Sequence, residues 1–159
     1  MLVCSTDGNI YSLKEDLTTL ALVVQGISNI GFEEVHTIEA SEGIIFFGTK
    51  EVARDVGRLY KAELVALDNL YVLASRQLIK EWVVDSVDTT PHAMFVSRDS
   101  VYMGVKEGTN EVNLWRYYLP TGGLARDLQT SGNGLVYGIT QTDGNFVISV
   151  SGSDVYFET

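Results

Sequence analysis

His36 and His92 are the two histidines of the chain, and each opens a short run of similar shape, HTIEASEGIIFFGT and HAMFVSRDSVYMGV. Imidazole changes charge closest to neutral pH, so a pair of histidines is a starting point for a proton relay, a general base or a metal site. Neither has the local carboxylate or the further ligands that a triad or a zinc site needs, and no metal or cofactor is expected. Their places are equivalent in a repeat set out below, with Tyr137 in the third place, and repetition alone accounts for the coincidence. The functional expectation for His36 and His92 is contact with a ligand or partner.

Tyr117 and Tyr118, with Trp82 and Trp115 nearby in type, supply a second candidate surface, because Trp and Tyr are enriched where proteins bind sugars or peptides. Aromatics that alternate along one strand also pack between layers, and that is the competing reading. Cys4 sits in an apolar run with no nucleophile motif around it, as expected of a buried structural thiol. A lone cysteine also excludes an internal disulfide and any multi-cysteine metal site. Asp7, Asp99 and Asp143 fall in turns, where a side chain bonding its own backbone is sufficient explanation. No catalytic residue is assigned.

The elements that carry these residues read as short strands. LVCSTDGNIYSL, from Leu2, is a hairpin around Asp7-Gly8, where glycine supplies the positive φ of a tight turn. Leu17 to Val24 reads as a strand, although Leu17, Leu20, Ala21 and Val24 also share one helical face. His36 to Thr49 is hinged at Glu42-Gly43, and its second half is apolar on both faces, as in a strand buried between two layers. Arg58 to Leu67 and Leu70 to Ser75 flank Asp68-Asn69, and Leu78 to Val84 is one further run. Helix is the alternative over Val52 to Leu67, but Gly57 and the β-branched and aromatic residues favour strand.

Pro91 to Leu128 holds the clearest unit. Its runs are His92 to Val96, Val101 to Val105, Val112 to Leu119 and Leu124 to Leu128. They are separated by Arg98-Asp99-Ser100, by Lys106 to Asn110 and by Pro120 to Gly123. Leu135 to Gln141, Phe146 to Val150 and Val155 to Phe157 begin the pattern again. Laid without gaps, His36 to Thr49, His92 to Val105 and Tyr137 to Val150 fall into one register. The turn pairs Glu42-Gly43, Arg98-Asp99 and Asp143-Gly144 then coincide. So do the small residues Gly48, Gly104 and Ser149, where close approach of neighbouring backbone is expected. An aliphatic residue before an aromatic one marks each unit, at Leu59-Tyr60, Leu114-Trp115 and Val155-Tyr156, with Ile10-Tyr11 for an earlier unit.

NLWRYYLPTGGLARDL, Asn113 to Leu128, resembles the third and fourth strands of β-propeller blades of the WD40-like, TolB-type, kelch and quinoprotein-type families. TDGNIYSL and TDGNFVIS, at Thr6 and Thr142, are similar to common propeller hairpins. No WD dipeptide, Asp-box or calcium-binding aspartate run narrows the family, and no functional residue carries over. The expected fold is all-β: blades of four antiparallel strands, in units of approximately 1–30, 31–85, 86–130 and 131–159 within one domain. With Leu2 to Ser12 as second and third strands and Val155 to Phe157 as a third, about three and a half blades are counted. The expectation is an incomplete propeller, completed by a protein partner, a second copy of itself or further sequence.

A formal net charge of -10 opposes binding to phosphate backbones and anionic membrane surfaces, so neither nucleic acid nor membrane is an expected partner. Its plainest meaning is a solvated, self-repelling surface on a β-rich protein. Hydrophobic residues make up 45%, enough for a packed core, yet no apolar run approaches a membrane span and Met1 begins no targeting pattern. The cytoplasm is the favoured compartment. The leading functional expectation is a non-catalytic scaffold for protein-protein interaction. The alternatives are a structural subunit of a larger assembly, such as a virion or tail-like particle, and an enzyme acting through absent blades or the channel around His36 and His92.

Overall fold

The structure is a computed structural model that describes residues 2–4, 9–13, 20–24, 33–67, 70–131, 134–142, 145–150 and 155–158. Among these residues there are fourteen strands and no helix. They form four antiparallel sheets in which sequence neighbours are sheet neighbours. The first sheet holds β1 (Leu2–Cys4), β2 (Ile10–Leu13) and β3 (Leu20–Val24). The second holds β4 (Glu33–Ser41), β5 (Ile44–Glu51), β6 (Val56–Leu67) and β7 (Leu70–Trp82). The third holds β8 (Ala93–Ser97), β9 (Ser100–Gly108), β10 (Glu111–Tyr118) and β11 (Gly123–Ser131), and the fourth β12 (Val136–Thr142), β13 (Asn145–Val150) and β14 (Val155–Glu158).

β1 lies beside β4, β4 beside β8, and β8 beside β12, so the leading strands of successive sheets are neighbours. Each pair of adjacent sheets encloses an apolar core. Ile10 and Cys4 meet Val35, Ile45, Phe47 and Tyr60 between the first and second sheets. Phe46, Leu59 and Trp82 meet Met94, Val101, Met103, Val105 and Tyr117 between the second and third. Ala93, Val112 and Leu114 meet Val136 between the third and fourth. Period-two alternation therefore sends Phe46 into one core and Ile45 and Phe47 into another, which is why the IIFF run is apolar on both faces.

Two strand assignments change, and the strand reading after Val52 holds. Leu70 to Ser75 and Leu78 to Val84 are not separate strands: β7 runs unbroken to Trp82, passing Ser75 in left-handed backbone (φ 52°) opposite irregularities in β6. A bulge of this kind lets one long strand bend without ending, and the polar residues Ser75 to Gln77 are its exposed bend. Val52–Asp55 is a turn and Val56–Leu67 a strand, so the helical alternative there falls. β1 and β2 are the first and second strands of their sheet, not the second and third, because β1 stands beside β4. Ile10-Tyr11 thus sits on a second strand, whereas Leu59-Tyr60, Leu114-Trp115 and Val155-Tyr156 sit on third strands. Asp7-Gly8, Leu17, Asp68-Asn69 and Asp143-Gly144 lie outside the described residues.

Candidate functional site

β4 carries His36, and the segment entering β8 carries His92. Because β4 and β8 are neighbours, the two rings meet edge to face with centroids 4.9 Å apart. The His92 ring in turn lies 5.8 Å from that of Tyr137 on β12. The three equivalent residues of the repeat thus form one file across three leading strands. Each histidine does have a carboxylate at hand, contrary to the sequence expectation. His36 Nε2 is 2.9 Å from Glu34, two residues earlier on β4, and His36 itself sits at a bulge between Val35 and Thr37. His92 Nε2 stands 3.9 Å from Asp88, too far for a hydrogen bond.

Asp88 is committed elsewhere. It accepts hydrogen bonds from Lys50 Nζ (2.7 Å), from the Thr90 amide (3.1 Å) and from the Thr90 hydroxyl. Burial alone would push the Asp88 carboxyl up, but its hydrogen bonds from Lys50 and Thr90 hold it far below the usual carboxylate range. Lys50 also pairs with Asp55 at 2.8 Å. This group fastens the β5–β6 turn to the segment that leads into β8. Among the described residues, no group of three or more His, Cys, Asp or Glu side chains is placed to hold a metal ion.

Tyr117 and Tyr118 leave β10 on opposite faces. Tyr117 is buried in the core between the second and third sheets, its ring 5.5 Å from that of Phe46, while Tyr118 is exposed beside Arg116 and Leu124. They do not form one platform, and neither joins the histidine file. Trp82 and Trp115 meet each other edge to face between the same two sheets, with the Lys80 ammonium 5.4 Å above the Trp115 ring. Cys4 is half-buried against the first core, and burial pushes its thiol up, away from the reactive thiolate.

One concave feature among the described residues was not anticipated. A cleft of about 370 Å³ opens where the β4–β5, β8–β9 and β10–β11 turns of the second and third sheets meet. Phe46, Ile44 and Leu119 form its apolar wall, and Glu42, Arg98, Asp99 and Pro120 its mouth. Inside it Lys61 Nζ donates a 3.0 Å hydrogen bond to the Tyr117 hydroxyl and lies 5.6 Å from the ring centroid. The sequence did hold a signal, because Glu42-Gly43 and Arg98-Asp99 coincide in the repeat register and so emerge at the same end of adjacent sheets. Lys61 is located by its pairing opposite Phe46 on β5.

A second charged group was also missed. Arg58 on β6 reaches Glu33 on β4, Glu51 on β5 and, at 2.6 Å, Glu81 on β7, so one guanidinium spans all four strands of the second sheet. Glu33 is buried and also accepts from Tyr60 (3.2 Å) and Thr49 (3.2 Å). Each of the three Arg58 nitrogens donates to an internal carboxylate, which makes the group a tie between strands. No protein-family model matches this chain, and a search of curated proteins finds no match to it.

Proposed function

We propose that the chain is a run of propeller blades that serves as a non-catalytic scaffold for protein-protein interaction. The blade reading draws support from the order of the sheets, the adjacency of their leading strands and the recurrence of the same contacts at equivalent positions. The observation that carries the functional reading is the cleft between the second and third sheets. It joins an aromatic and aliphatic wall to a few convergent polar groups, the pattern by which a concave surface accepts a side chain of a partner.

The test is selection of peptides from a random display library against the whole chain, followed by fluorescence anisotropy on the selected peptides. Saturable binding that is lost in Ser41→Trp, which fills the cleft from its rim, is the expected result. Ser41 ends a strand, where an aromatic side chain is well tolerated, and circular dichroism verifies the fold. Absence of any saturable peptide, or binding indifferent to Ser41→Trp, overturns the reading. Sizing by light scattering in the same samples separates a soluble scaffold from a subunit that assembles with its own copies.

A further inference from the structure

Lys61 and Arg98 are the feature of the cleft that its role as a docking site leaves unexplained. Among the described residues, Lys50, Arg54, Arg58, Arg116 and Arg126 each have a carboxylate within ion-pair distance. No carboxylate lies within that distance of Lys61 or Arg98 among the same residues, although the chain carries a net charge of -10. Arg76 and Lys80 likewise have no carboxylate at that distance among the described residues and lie over the Tyr60 and Trp115 rings, whereas Lys61 and Arg98 line one cleft together. The two acids at its mouth do not serve them. Asp99 accepts from the Ser100 hydroxyl at 3.2 Å, and Glu42 is exposed at the tip of the β4–β5 turn.

The geometry keeps both cations available. One Lys61 N–H is engaged by the Tyr117 hydroxyl, and an ammonium has three to give. Arg98 holds left-handed backbone at φ 41°, a conformation that glycine, asparagine and aspartate adopt more easily than arginine. Resting on the scaffold reading, we infer that the cleft takes the carboxylate of an aspartate or glutamate side chain from an extended segment of a partner protein. Lys61 and Arg98 neutralise that carboxylate, and an apolar residue beside it lies against Phe46, Ile44 and Leu119.

The probes are acetylated, amidated hexapeptides in which one central position is Glu, Gln or Lys and its neighbour is Leu, Phe or Ser, read by fluorescence anisotropy. The expected result is that Glu beside Leu or Phe binds about tenfold tighter than its Gln counterpart, as for a hydrogen bond to a charged group. Lys61→Met and Arg98→Gly each reduce that Glu/Gln ratio towards one. Arg98→Gly relieves the turn, so it reports on charge even if Lys61→Met fails to fold. A Glu/Gln ratio near one in the unmutated chain, or a ratio unaltered in Arg98→Gly, overturns the inference and leaves the scaffold reading standing. Tighter binding of Gln peptides with a free C-terminal carboxylate than of the internal Glu peptides overturns the side chain as the source. Failure of every one of these peptides to bind overturns the inference, and the random-library selection decides the scaffold reading separately.

Discussion

Gly48 faces Pro91 across the boundary between the second and third sheets so closely that a Cβ built on the glycine would lie 2.7 Å from the Pro91 carbonyl oxygen. Gly104 faces Val136 across the next boundary in the same way, its hypothetical Cβ 2.5 Å from both Val136 methyl carbons. The four residues are equivalent in pairs under the repeat register, so this is one contact made twice. Gly104→Ala and Gly48→Ala are expected to destabilise the fold by about 1 to 3 kcal/mol, the usual range for overpacking a tight interior. Gly48→Ala costs more, because its obstacle includes backbone. Adding Val136→Gly, which removes the Val136 Cβ as well as its methyls, to Gly104→Ala recovers part of the loss, whereas adding it to Gly48→Ala does not. Urea unfolding of the four variants checks the coupling.

Arg58 is the only guanidinium seen to touch all four strands of its sheet among the described residues. Arg58→Met leaves Glu33 buried without its cation, a change that typically costs about 3 to 5 kcal/mol. The double variant Arg58→Met, Glu33→Gln removes the stranded charge and is expected to regain a large part of that loss. Thermal melts of the two variants decide the matter: equal melting temperatures would mean that Glu33 does not depend on Arg58.

The repeat register made much of this architecture readable. It located the turns at Glu42-Gly43 and Arg98-Asp99, the close approach at Gly48 and Gly104, the strand buried on both faces at Ile44 to Phe47, and the equivalence of His36, His92 and Tyr137. All of these depend on residue types recurring at fixed places, which a linear reading detects. Arg58 and its partners do not recur: Glu33 and Glu81 lie 25 and 23 residues away and come within reach only once the strand register is set. The cleft was hidden for the same reason, since Lys61 and Tyr117 are 56 residues apart and meet only because two sheets stack. β7 was misjudged because a polar bend within a long strand has the composition of a loop.

Asp88 contributes a defined response to acid. Its carboxyl is held well below the ordinary value of 3.8 when folded, whereas the unfolded chain takes up the proton near that value. The stability it contributes is therefore complete above about pH 5 and is lost progressively as pH falls below 3.8, with a slope of up to about 1.4 kcal/mol per pH unit. Asp88→Asn should lower stability at neutral pH and flatten this part of the profile. Denaturant midpoints between pH 5 and pH 2 test it, and an unchanged slope in the variant would show that Lys50 and Thr90 do not hold the carboxylate as described.

Tyr60 sets the opposite limit. Burial, together with the negative charge of Glu33, pushes its phenol from an ordinary value of 10.0 up to about 12. The folded state then keeps a proton that the unfolded chain releases, so the contribution of Tyr60 is fully present below pH 10 and is lost as pH rises towards 12. Tyr60→Phe keeps the stacking on Phe47, whose ring centroid is 5.3 Å away, and removes only the hydroxyl that donates to Glu33. Its midpoint should fall less steeply between pH 10 and pH 12 than that of the unmutated chain. Ultraviolet titration of the folded protein should show one late-ionising tyrosine fewer in the variant. Loss of an early-ionising tyrosine instead would place the Tyr60 hydroxyl in contact with solvent and remove the hydrogen bond to Glu33 from the account of the second sheet.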